Sequence, residues 1–159
     1  MMLRALFLLL GAALLLPAQN KYTGPRPAKP DVPYLVHADE LVPTEASEAK
    51  EETRKDDVLY VIAGANSPVK TPLASPILLI QAVKLQPDRL QLYKLESKNG
   101  QREILFSRKK KVTAKALIVE VSRLTSDNIY RIEVDQTLEN GEYSLSPEGS
   151  NQVFCFAVY

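Results

Sequence analysis

The sequence predicts a mainly β protein: an antiparallel β-sandwich of the immunoglobulin-like kind, built from seven or eight short strands. Three observations predict it. Short apolar runs recur along the chain between clusters of Gly, Pro, Asn, Asp and Ser, and no apolar stripe at helical spacing competes with them. From Ile129 to Asp135, Tyr130, Ile132 and Val134 alternate with Arg131, Glu133 and Asp135, the period of a strand with one wet face. The last run, Val153 to Val158, is apolar throughout, as suits a strand covered on both faces.

The first eighteen residues read as a targeting segment. Arg4 supplies the positive start, Ala5 to Leu16 the apolar core, and Leu16-Pro17-Ala18 a small residue before the cut. Twelve residues cover only about 18 Å as a helix, short of the ~30 Å hydrocarbon layer, so cleavage is expected rather than a retained anchor, and no span remains afterwards. The mature chain, Gln19 onward, then carries 19 basic and 19 acidic residues, which gives no global attraction to nucleic acid. Cys155 is the only cysteine, so there is no internal disulfide and no cysteine for lipid attachment at the cut. The expected location is secreted or periplasmic.

Residues 19–43 hold five prolines (Pro25, Pro27, Pro30, Pro33 and Pro43) and predict an extended arm ahead of a single sandwich domain, 44–159. Thr44 to Asp57 reads two ways: a helix capped by Thr44 or Ser47 that buries little, or a charged edge strand turning near Lys55-Asp56 into the next run. Val58 to Ala63 is a central strand. Gly64 to Pro76 is a long Pro-rich loop of the kind that often carries function. Ile77 to Ile80 begins another buried strand. Leu90 to Leu95 and Glu103 to Phe106 flank Asn99-Gly100 as a hairpin. A two-residue turn there would face Glu96 with Glu103, so a three-residue loop that sets Glu96 opposite Arg102 and Leu92 opposite Phe106 is expected. Leu117 to Leu124 forms the next strand. Turns at Asn140-Gly141 and Pro147 to Asn151 then fold the last three runs into a meander. An eight-stranded outer-membrane barrel fits less well, because the runs lack inward polar alternation and the chain is rich in proline and poor in glycine.

The turn Gly64-Ala65-Asn66-Ser67, Pro76 before an apolar strand, LQLYKLESKNGQRE, and LENGEYSLSP before a closing apolar strand together make a recognisable pattern. Over Val58 to Tyr159 the chain resembles a group of uncharacterised bacterial secreted β-domains with a Leu-x-x-Gly-Glu-Tyr turn, here Leu138 to Tyr143. The resemblance implies the sandwich fold and export, and carries no activity.

The candidate sites are sparse. His37 is the only histidine, so a hydrolase or metal-dependent enzyme would have to use it with carboxylates such as Asp39 and Glu40; no second histidine or nucleophile elbow supports this. Cys155, inside VFCFAVY, reads as a core residue, with a disulfide to another chain as the alternative. Tyr143 is expected to pack inward and Glu142 to stay wet. A sugar-binding face would want an aromatic platform, and the chain has no tryptophan. The candidate binding surface is the long loop with Asn66, Ser67 and Lys70, together with the basic run Arg108, Lys109, Lys110 and Lys111. The expectation is a non-enzymatic, exported protein without cofactor, with a binding or scaffold role in a bacterial cell envelope. Its partner would be another envelope protein or an anionic surface polymer, not nucleic acid.

Overall fold

The computed structural model describes residues 22–109 and 113–159. The targeting segment read at 1–18, and Lys110 and Lys111, lie outside the described residues. The chain forms two antiparallel sheets packed as a sandwich.

The smaller sheet runs β10 (Val119–Arg123), β11 (Ile129–Val134), β7 (Ile77–Gln81), β1 (Tyr34–His37) and β2 (Glu40–Pro43). The larger runs β3 (Glu45–Glu48), β13 (Gln152–Val158), β12 (Gly141–Pro147), β8 (Leu90–Lys98), β9 (Gln101–Ser107), β5 (Asp57–Ala63) and β4 (Lys50–Arg54). The two-residue β6 (Lys70–Thr71) lies parallel to the end of β13. The sheets thus hold five and eight strands, more than the four and three of an immunoglobulin constant-type domain.

Leu35, Leu78, Ile80 and Ile132 of the smaller sheet meet Leu92, Tyr143, Leu145, Phe154 and Phe156 of the larger one. The opposite faces of the same large-sheet strands are also buried. Leu95, Val153 and Cys155 join Ala49, Ile62 and Ile104 in a second core. Double burial is why Val153 to Val158 is apolar at every position: Phe154, Phe156 and Val158 enter the first core, and Val153 and Cys155 the second.

The second core exists because the larger sheet curls. Its edge strands β3 and β4 are joined by one residue, Ala49, whose N–H donates to Asn151 O at 2.8 Å. A single bent run therefore pairs with β13 through its first half and β5 through its second. On the far side of the curl β8 and β9 pair only beside their turn, and residues 113–117 fill the space where they splay. There Ala114 N donates to Leu105 O and Leu117 N to Leu92 O.

One open reading is decided in favour of the edge strand, and three expectations change. Thr44 to Asp57 is strand rather than helix; Thr44 caps nothing, its hydroxyl donating to Pro33 O, and Lys55, at φ 54°, makes the turn into β5. The Pro-rich arm is folded in from well before residue 44. Tyr34 and Leu35 are buried, and the Asp31 carboxylate accepts N–H groups from Val83, Lys84 and Leu85. Burial alone would raise the Asp31 carboxyl; those bonds outweigh it and hold it below the usual range. The last three strands are not one meander, because β11 belongs to the smaller sheet and only β12 and β13 form a hairpin.

The third change is register. Glu96 faces Glu103 across a two-residue turn with Asn99 at φ 51° and Gly100 at φ 76°, both in the left-handed region that suits Asn-Gly. The like-charge pairing is tolerated because Glu96 is exposed and Glu103 accepts a 2.7 Å bond from Gln101. What this register secures is larger: it puts Arg102, Ile104 and Phe106 on the inner face of the curl.

Phe156 has no exposure and stacks on Tyr143 at 5.8 Å. Phe156→Ala is expected to cost about 3–5 kcal/mol in denaturant unfolding; a loss under ~1 kcal/mol would place the ring outside the shared core.

Candidate functional site

The curl has two different ends. Arg102 and Phe106 stand four residues apart on the inner face of β9, about 13 Å along the strand. One end is sealed by charge and the other opens to solvent.

At the sealed end Arg102 is fully buried. Its guanidinium donates to Glu45 Oε2 at 2.7 Å and Oε1 at 2.9 Å, to Gly64 O at 2.9 Å and to Ala63 O at 2.8 Å. Glu142 Oε2 lies 3.8 Å away and accepts the Ser67 N–H at 2.8 Å. Glu142 is therefore buried, not wet as expected, while Tyr143 points inward with its hydroxyl donating to Glu139 O. The Gly-Ala-Asn-Ser turn and the Leu-x-x-Gly-Glu-Tyr turn, far apart in sequence, meet here through Ser67 and Glu142. Burial pushes the Glu45 carboxyl up, but the bonds from Arg102 and Ser67 outweigh it and hold it below the ordinary range; the same pairing holds Arg102 above its own.

Between the ends lie Cys155 and Ser144, cross-strand partners with no exposure, and then Ser146, whose hydroxyl shares a 2.8 Å bond with Ser144. Cys155 is a free, buried thiol, and burial pushes it up to about 12 despite the nearby Arg102. It is a packing residue.

At the open end is a cavity of about 300 Å³. Tyr60, Tyr93 and Phe106 form its aromatic wall. Phe106 meets Tyr60 at 5.8 Å and 86°, and Tyr93 at 5.4 Å and 88°, so the rings build a corner rather than a flat platform. Ser146 and the turn residues Glu148 and Ser150 line the opposite wall. Glu51, across from Tyr60 on β4, stands at the mouth. Burial and then Glu51 push the Tyr60 phenol up, and burial and then Glu148 do the same to Tyr93.

The sequence-derived candidates are scattered. Asn66 and Lys70 are exposed near the sealed end, whereas Ser67 is buried and engaged by Glu142. Arg108 and Lys109 follow β9 at the other end, where Lys109 is paired with Asp56 at 2.6 Å. The long loop and the described part of the basic run, Arg108 and Lys109, thus do not form one surface. His37 sits on β1 in the smaller sheet with its Nε2 buried and unpartnered; Glu40 opposite it and Asp39 in the turn are exposed. No group of three or more potential metal ligands occurs among the described residues. Among the same residues no helix is long and apolar enough to cross a membrane. The cavity residues Glu51, Tyr60, Tyr93 and Phe106 were not singled out from sequence. The signal that would have found them is the two-residue register of the Asn99-Gly100 hairpin, which puts Tyr93 and Phe106 side by side. No family model, curated protein or solved structure matches the chain.

Two outcomes follow from the sealed end. Arg102→Met should cost about 3–5 kcal/mol by leaving Glu45 and Glu142 without their cation, and adding Glu45→Gln should recover part of it. Because the Glu45 carboxyl is depressed when folded, its contribution is present above the ordinary value of 4.5 and is lost as pH falls through the lower folded value. Acid unfolding of Glu45→Gln should lack that component.

Cys155 titrates in the opposite direction. Its contribution is complete below about 9 and is lost as pH rises from there through about 12, because the unfolded thiol ionises first. A thiol reagent at neutral pH should label Cys155 only after denaturation; rapid labelling of the native protein would contradict its burial.

Proposed function

We propose that this chain is an exported, non-catalytic binding protein of a bacterial cell envelope, and that it binds at the open end of the curled sheet. One observation carries the reading. A cavity of about 300 Å³ lies between strands of the curled sheet, with aromatic side chains along one wall, and the curl is closed at its other end by a buried ion cluster. Sites of this size and lining take small organic ligands. The ionisable groups lining the cavity do not form a nucleophile and base in contact. The tyrosines are raised, and the one thiol of the same core stays protonated. Export rests on the Arg4 to Ala18 segment and on the resemblance to secreted β-domains. An anionic polymer at the basic run is the lesser partner, since Lys109 already holds Asp56.

Screening by NMR with a mixture of small aliphatic and aromatic compounds should shift resonances around Tyr60, Tyr93 and Phe106 before any others. Ser150 is exposed at the rim, so Ser150→Trp should cover the mouth and abolish those shifts without lowering the unfolding midpoint. Shifts unaffected by Ser150→Trp would place binding elsewhere.

A further inference from the structure

We infer that the cavity takes a small organic cation, an alkylammonium or quaternary ammonium group, seated in the corner of Tyr60, Phe106 and Tyr93 and neutralised by Glu51. This rests on the reading of the open end as a binding site and assigns the chemistry of its ligand.

Three observations converge. The first is ring geometry. Phe106 lies perpendicular to both tyrosines, at 86° to Tyr60 and 88° to Tyr93, so the aromatic wall turns a corner at Phe106. A flat sugar or nucleobase wants a planar stacking partner. A tetrahedral cation is better served by rings at right angles, because each offers its negative face from another side.

The second is charge. Among the described residues the cavity is lined by two carboxylates, Glu51 and Glu148, and by no lysine or arginine. Three cations of the surrounding segments are engaged elsewhere: Arg89 with Glu148 at 3.1 Å, Arg54 with Glu52 at 2.8 Å and Lys109 with Asp56 at 2.6 Å. Glu148 is shared with Arg89, so Glu51 supplies the net negative charge at the mouth.

The third is placement. Glu51 is the direct cross-strand partner of Tyr60, and both side chains line the cavity. The bend at Ala49 fixes this arrangement, because it carries the chain from β3 across to β4 and so delivers Glu51 to the aromatic wall. An anion would meet that carboxylate at the entrance. A neutral ligand would gain nothing from it, because the exposed carboxylate keeps its water.

The test compares choline with its neutral isostere 3,3-dimethyl-1-butanol by calorimetry and by chemical shifts at Tyr60 and Phe106. Choline should bind in the millimolar range and at least tenfold more tightly than the alcohol. Glu51→Gln, at an exposed position where folding is not at stake, should weaken choline about tenfold and leave the alcohol unchanged. Equal binding of choline and the alcohol would overturn the cation assignment and leave the open-end site standing. Fragments that occupy the cavity while choline does not would do the same. Failure of every compound to reach the cavity would remove the binding site itself. Phosphatidylcholine vesicles at matched headgroup concentration distinguish a lipid headgroup from a free cation: capture by vesicles without binding of free choline would overturn the assignment to a small soluble ligand.

Discussion

A guanidinium with no solvent contact must be met by protein on every side, and Arg102 is where the larger sheet meets that demand. Desolvating this group costs several kcal/mol, offset only if its donors are satisfied and a carboxylate is close. The partners come from β3 (Glu45), from β12 (Glu142) and from the backbone at the end of β5 (Ala63 and Gly64). No two of those strands are neighbours in the sheet order, so the cluster is satisfied only when the sheet is curled. The bidentate pairing therefore acts as a registration device. A slip of β9 by one residue would turn Arg102 outward and leave Glu45 facing a void.

The rest of the curl follows from that constraint. With Arg102 inward, Ile104 and Phe106 are inward by the period of the strand, and the aromatic corner forms where β8 and β9 have splayed. The cavity and the ion cluster are two ends of one decision about register. Wild-type geometry at the mouth thus depends on residues about 13 Å away that touch nothing in it.

How much of this could be read from the chain varies with the range of the interaction that decides it. Double burial of β13 was legible, because VFCFAVY is apolar on both parities and only a strand covered on two faces sustains that. The buried fate of Cys155 followed from the same run. The hairpin turn was legible in Asn99-Gly100; its register was not, because the repulsion between Glu96 and Glu103 is local and visible whereas the burial of Arg102 depends on Glu45, on another strand. Glu142 misled for a related reason. A carboxylate in a turn motif is ordinarily wet, and only the arrival of Ser67 and Arg102 makes its burial tolerable. The folding-in of the Pro-rich arm depends on Asp31, whose ability to gather three backbone N–H groups of a distant loop has no periodic signature. The cavity was the least legible part, since it combines six strands whose pairing had to be known first.

The bend at Ala49 also bears on how the molecule keeps to itself. A sheet strand that pairs on one side for its full length would present a long row of unsatisfied backbone groups to any passing chain. Here the run changes partners midway, so β3 and β4 each expose a rim of only four or five residues. Of those nine residues Glu48, Lys50, Glu51, Glu52 and Arg54 put charge on the rim, while Glu45 is turned to Arg102. Past the expected targeting segment, acidic and basic residues balance, and net repulsion between copies is absent. Colloidal stability must then come from local patterning, and the interrupted, densely charged rim supplies it where edge-to-edge pairing would otherwise begin.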